Sequence, residues 1–153
     1  MIYSPFLKEQ SRLIVESYEF VTGRTLRDVN ANATGEDLAQ QLYESEKAVL
    51  SHDRIVHLHQ WDNIYNYANQ TALKLFERTF EQQVQLFSTR SAGADHSSQN
   101  DRNSLLAQCL AKGYVEFDGE RVSASGNKVV LKEACLFNLI DDRGIFRGQA
   151  VIF

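Results

Sequence analysis

The sequence predicts an α+β domain, one antiparallel sheet with helices on one face. Three observations lead there. Apolar residues recur at helical spacing through roughly the first 50 positions. From Gly113 onward the chain instead reads as strands joined by short polar turns. Between them, NIYNYANQTALKLFERTF (63–80) passes from an alternating, aromatic strand pattern into a helix at one asparagine.

Leu7, Ser11, Ile14, Tyr18 and Val21 define the first helix, with Gly23 placed as a left-handed C-terminal cap. Thr34 is positioned to cap a second helix, Asp37 completing an approximate capping box. Leu38, Leu42 and Val49 supply its apolar side. AVLSHD (48–53) reads as a short strand and HLHQWDN (57–63) as ambiguous. NIYNYAN is expected to place Ile64, Asn66 and Ala68 on one side and Tyr65 and Tyr67 on the other. Asn69 suits an N-cap for the helix bearing Ala72, Leu73 and Phe76. Thr79 and Gln82 offer a capping box for a further short helix with Phe80, Val84 and Phe87 on one face. Residues 88–101 read as a polar loop. A helix over 100–112 buries Leu105, Leu106, Cys109 and Leu110.

Strands are expected at 113–117 and 120–125, separated by Asp118-Gly119, with a two-residue turn at Gly126-Asn127. KVVLKEACLFNLI (128–140) reads as a long strand, with Val129, Leu131, Cys135, Phe137 and Leu139 on one face and Glu133 interrupting it. DDRG (141–144) turns the chain into a last strand, 145–153. The expected organisation is an N-terminal helical extension (1–46) packed on the domain proper (47–153), as one globular unit.

The 153 residues suit one domain. The formal charge of −4 argues against a nucleic-acid binder, which usually shows a basic stripe. The sequence has no apolar run of the roughly 18 residues a membrane span needs and no signal-peptide pattern at its start, so a cytoplasmic location is expected. Cys109 and Cys135 sit inside apolar stretches and read as buried thiols.

SYEFVTGRTL, LSHD, NIYNYANQTALKLFE, FSTRSAGADHSSQNDRNSLLAQCLAKGY, GERVSASGNKVVLKEACLFNL and DDRGIFRGQAVIF together resemble the MEKHLA domain family, a PAS-related group, in its stand-alone bacterial form. They cover the chain from about Ser17; HDRIVHLHQWDN departs from the family's shorter, proline-containing link. The resemblance implies a PAS-like five-stranded sheet in the order 2-1-5-4-3. It also implies a sensory or dimerisation role, in some relatives with haem, flavin or a metabolite held between sheet and helices. The plant members are attached to homeodomain-leucine-zipper regulators; this chain has neither segment, so DNA binding is not carried over.

No catalytic signature appears: the sequence has no G-x-S-x-G, P-loop or dinucleotide fingerprint. His52, His57 and His59 form a suggestive cluster, but H-x4-H-x-H matches no metal motif, and His52 can instead bond backbone at a strand end. A haem would need an axial histidine on the helix over the sheet, and a flavin photosensor a reactive cysteine motif; neither is present, and the cofactor is left unknown. Glu133 on an apolar strand face needs a partner: either a ladder irregularity turns it to water, or it is a polar group inside a ligand pocket. On the second reading Glu133, Trp61, His59 and Cys109 are the candidate ligand-binding residues. The expected function is a non-catalytic sensory or regulatory module for a small molecule; the alternative is a ligand-free module forming a homodimer or binding a protein partner.

Overall fold

The computed structural model describes residues 3–53, 64–86 and 96–153, the side chains of 96–100 excepted. The described residues form α1 (Pro5–Thr22), α2 (Gly35–Tyr43), β1 (Val49–Asp53), β2 (Tyr65–Ala68), α3 (Gln70–Phe76), α4 (Phe80–Gln83), α5 (His96–Lys112), β3 (Tyr114–Val122), β4 (Lys128–Ile140) and β5 (Phe146–Ile152). The strands make one antiparallel sheet in the order β2-β1-β5-β4-β3. That is the order the resemblance implies.

Successive strand residues point to opposite faces, and β1 shows which helices cover each. Val49 packs with Leu7, Ile14, Leu38 and Leu42, so α1 and α2 cover one face. Leu50 packs with Ala72, Leu73 and Phe76, so α3 covers the other, and α5 joins it there through Leu106 and Cys109 against Leu136. Helices therefore lie on both faces, the N-terminal pair forming a third layer.

The caps are local and follow the sequence. Gly23 has φ 73° and donates its N–H to the Glu19 carbonyl at 2.8 Å. Thr79 and Gln82 form a complete capping box. Asn69 caps α3 by accepting from the Ala72 amide at 3.1 Å, and it does far more. The same oxygen accepts from the Val49 amide at 2.9 Å, and its Nδ2 donates to the carbonyls of Leu42 (3.1 Å) and Lys47 (2.8 Å). One fully buried side chain thus joins the end of α2, the start of β1 and the start of α3. This is why strand can become helix with no loop. Thr34 occupies the N-cap position of α2 without a side-chain capping bond, and Val49 belongs to β1 rather than to α2.

Two bulges overturn the expected face assignments. In β2, Ser51 pairs with Tyr67 and His52 with Tyr65, leaving Asn66 unpaired. Tyr67 therefore packs with the α1 side while Tyr65 and Ala68 pack with α3. Asn66 instead accepts from Ser51 Oγ (2.7 Å) and from Gln10 Nε2 of α1 (3.3 Å). In β4, Lys132 and Glu133 oppose the single residue Asp118, between the pairs Phe117–Ala134 and Gly119–Leu131. Glu133 takes φ 50° and donates its N–H to Asp118 Oδ1 at 2.8 Å. The extra residue reverses the alternation. Val129 and Leu131 share the α3 side with Ala134, whereas Cys135, Phe137 and Leu139 face α1.

Other boundaries also differ. Asp118-Gly119 lies within the continuous strand β3 instead of dividing two strands. The link from β3 to β4 spans residues 123–127, closed by the Ser123 N–H donating to the Asn127 carbonyl, and is longer than a two-residue turn. Helix α5 begins at His96, earlier than expected. Phe87, His57, His59 and Trp61 lie outside the described residues.

Candidate functional site

Beneath α3 and α5 the sheet lines a partly open cavity of about 50 Å³. Its walls are largely apolar: Leu50 of β1, Phe76 of α3, Leu105 and Leu106 of α5, and Leu131 and Leu136 of β4. Its polar rim comes from five elements: His52 of β1, Tyr65 of β2, Arg102 of α5, Arg121 of β3 and Gln149 of β5.

His52 is 6% exposed. Its Nδ1 lies 3.1 Å from the Asp53 carbonyl. A carbonyl only accepts, so Nδ1 carries the proton, and in the neutral ring Nε2 is left as an acceptor. That Nε2 is buried and has no hydrogen-bond partner among the described residues. Burial pushes the imidazole down to about 4, the bond to the Asp53 carbonyl opposes this, and the Arg102 guanidinium adds to the depression. The ring is therefore neutral at pH 7. Its centroid lies 6.3 Å from that of Tyr65, edge to face.

Arg121 is half-buried, and burial lowers its affinity for its proton. Its Nη1 donates to the Glu120 carbonyl at 2.7 Å, and the guanidinium lies over the Phe117 ring, 5.7 Å from the centroid. Gly119 makes room for this stack, because a Cβ there would stand 3.3 Å from the Phe117 ring and 3.5 Å from Arg121 Nη1. Arg102 is buried and donates to Asn103 Oδ1 at 2.9 Å. Gln149 donates from Nε2 to the Leu106 carbonyl (3.3 Å) and to Asn138 Oδ1 (3.2 Å), fixing α5 against the sheet.

Of the sequence candidates that are described, neither Glu133 nor Cys109 lines this cavity. Glu133, read either as turned to water by a ladder irregularity or as a polar group within a pocket, is exposed: the β4 bulge is that irregularity. It lines a separate surface groove with Arg24, Arg27 and Lys47. Cys109 is buried against the sheet with its thiol donating to Asn138 Oδ1 at 3.2 Å, and it is not among the cavity's lining residues. Burial pushes that thiol up to about 12. Trp61 and His59 fall outside the described residues, and so does the histidine cluster apart from His52. No cluster of metal-ligating side chains occurs among the described residues. Sequence reasoning missed Arg102 and Arg121. The signal for Arg102 was present: it shares a helical stripe with Leu106 and Cys109, a charge on a buried face. Arg121 carries no comparable mark.

A layered sheet in this order, with a helix-roofed cavity on one side, defines a PAS-type domain. The chain belongs to the MEKHLA domain family, whose sequence profile matches residues 8–153. The match includes most of α1, so the helical extension lies within the family's own boundaries. Solved structures share the fold at low identity. A PAS domain from Colwellia psychrerythraea is 12% identical, with TM-score 0.55 over 69% of this chain and 82% of that one. A light-oxygen-voltage domain studied with a flavin analogue is 17% identical, with TM-score 0.56 over 75% and 81%. A PAS domain from a two-component sensor histidine kinase is 16% identical, with TM-score 0.55 over 74% and 87%. No curated protein sequence matches the chain.

Proposed function

We propose that this protein is a sensory or regulatory PAS-type module that takes a small molecule into the cavity under α3 and α5. The observation that carries this reading is His52, a buried neutral imidazole at the cavity wall whose Nε2 has no partner among the described residues. A buried polar atom left unsatisfied is costly, and a ligand donor would relieve it. The flavin analogue named for the light-oxygen-voltage neighbour belongs to that protein and says nothing of which molecule belongs here. We read the module as non-catalytic: among the described lining residues there is no carboxylate, serine, threonine or cysteine, and Tyr65 is the one hydroxyl beside His52. The interaction reading has less to draw on, because α1 and α2 bury their apolar sides on the sheet of their own chain.

Native mass spectrometry of freshly purified protein tests the proposal by reporting bound mass and subunit number together. One small molecule per chain is the expected result. A bare mass, with no shift in melting temperature across a metabolite library, would remove the sensory reading; a dimer of bare chains would favour the interaction reading.

A further inference from the structure

A polar row crosses the sheet beneath α5. Gln149 of β5 stands directly opposite His52 of β1 on one side and Asn138 of β4 on the other. Directly paired residues of neighbouring strands share a face. Two positions along each strand, Leu50, Val151 and Leu136 form the next row and pack toward α3 and α5, so the polar row faces that side too. Two α5 carbonyls fix which way its hydrogen bonds run, because a carbonyl only accepts. The Leu106 carbonyl accepts from Gln149 Nε2 at 3.3 Å, and the Cys109 carbonyl from Asn138 Nδ2 at 3.1 Å. Asn138 Oδ1 is thereby an acceptor, and it takes the Cys109 thiol at 3.2 Å and the other N–H of Gln149 at 3.2 Å. Both N–H groups of Gln149 are thus engaged, while its Oε1 accepts no hydrogen bond from a described residue. His52 has the same imbalance: Nδ1–H is engaged by the Asp53 carbonyl, and Nε2 has no donor among the described residues. Both side chains line the cavity, and they are only 2% and 6% exposed.

We propose that the cavity takes a small neutral primary amide whose –NH2 group donates one hydrogen bond to His52 Nε2 and one to Gln149 Oε1. This rests on the ligand-binding reading above and adds the chemical class. An anion would set further lone pairs against two acceptors. A cation would enter largely apolar walls with no carboxylate among the described lining residues to pair it. A neutral double donor meets both conditions. The N–H bonds of an amide nitrogen diverge by about 120°, so at ordinary hydrogen-bond lengths they reach acceptors about 5 Å apart. Side chains directly opposed across antiparallel strands start about 4.5–5.5 Å apart at Cβ. One water would span the same gap, but about 50 Å³ admits about three to five water-sized groups. The remaining room is walled by Leu50, Leu106, Leu131 and Leu136, which suits a short alkyl group. The cavity is partly open, so the amide's carbonyl oxygen keeps water at the mouth.

NMR titration of the full chain at pH 7.5 with propionamide, N-methylacetamide, N,N-dimethylformamide and propionate separates the requirements, since the four match in heavy-atom count. The first offers two N–H donors, the second one, the third none, and the last a negative charge. The expected result is one site per chain, with propionamide at least about threefold tighter than N-methylacetamide and at least about tenfold tighter than dimethylformamide or propionate. Propionamide is also expected to move the His52 Nε2 resonance upfield in ¹⁵N NMR. His52→Phe and Gln149→Met each remove one acceptor, and each is expected to bring propionamide and N-methylacetamide level. The contrasts among ligands use the unaltered chain, so they decide the matter even if a variant fails to fold. Equal affinity for propionamide and dimethylformamide, or a His52 Nε2 resonance that stays in place, overturns the donor requirement and leaves water as the partner of both acceptors. Tighter binding of propionate than of propionamide overturns the neutral class. If none of the four binds but xenon perturbs the methyl signals of Leu106 and Leu131, the amide class fails and the cavity reading stands. If xenon also leaves those signals unmoved, both fall.

Discussion

The two faces of the sheet are built to different standards. On the α1 side, Phe137 and Leu139 are fully covered, Ile14 and Leu42 close over them, and the Tyr18 ring lies 5.1 Å from that of Phe137. Most polar groups there are matched: Ser17 Oγ donates to the Ile140 carbonyl at 3.2 Å and accepts from the Ile140 amide at 2.9 Å, and Gln10 bonds Ser51 at 3.0 Å, while the buried Tyr67 hydroxyl has no partner among the described residues. On the α3–α5 side a cavity remains, and an imidazole nitrogen beside it is unmatched. Close packing is the norm for protein interiors, so the contrast separates a face that holds the domain together from one that keeps room.

The contrast can be broken first on the packed side. Phe137→Ala is expected to destabilise the protein by about 3–5 kcal/mol, read as a lower urea midpoint at unchanged slope. A loss below about 1 kcal/mol, smaller than is usual for a buried aromatic, would show that this face is not where stability resides. Asn69→Ala strips four hydrogen bonds from the seam between the faces, and a loss of about 2–4 kcal/mol is expected in the same assay.

The cavity side is sharpened by pH. His52 has a folded pKa of about 4, below the ordinary 6.5. The unfolded chain therefore binds more protons between those values, so this contribution is full above about pH 6.5 and is lost as pH falls toward 4. Between pH 7.5 and pH 5 the loss from this group is about 2 kcal/mol. Urea titrations at both pH values should show it, and His52→Gln should abolish that part of the difference. An unchanged pH dependence in the variant would place the imidazole in water.

A matched pair of enlargements then compares the faces directly. Leu105→Phe fills empty space and is expected to stabilise by up to about 1 kcal/mol while weakening ligand binding; Leu42→Phe, in a closed site, should destabilise by about 1–3 kcal/mol. Melting temperatures that move the same way for both would erase the distinction. The thiols give the smallest signal. Burial pushes Cys109 up to about 12 and Cys135 up to about 11. With a disulfide reagent at pH 8 both should label only at the rate of unfolding. Faster labelling of Cys109 would show that the cavity side opens locally.

How much of this was legible depends on the range of the signal. Gly23, Asn69 and Thr79 mark helix ends through bonds to residues within four positions, and all three could be read directly from sequence. The strand succession and the sheet order were equally accessible, the latter through the family resemblance. The bulges were legible only in part. A carboxylate on an apolar strand face raised a ladder irregularity as one of two readings for Glu133, but nothing near it announces φ 50°; Asp118, on another strand, holds it there. Without the bulge's one-residue shift, Val129 and Cys135 were placed on the same face. The site was harder still, because its rim draws residues from five separate elements and no short segment contains two of them. Only His52 was singled out beforehand, as a residue able to bond strand-end backbone, which it does at Asp53.

Asn69 carries a chemical vulnerability that follows from its geometry. Hydrolysis of its amide to aspartate would replace the two N–H groups facing the Leu42 and Lys47 carbonyls with an anionic oxygen. Oxygen would then confront oxygen in a site sealed from solvent. Slow deamidation on storage, affecting any fraction of chains that transiently unfold, would yield molecules 1 Da heavier that cannot close this junction again, so the ageing of a sample should be read at Asn69 first.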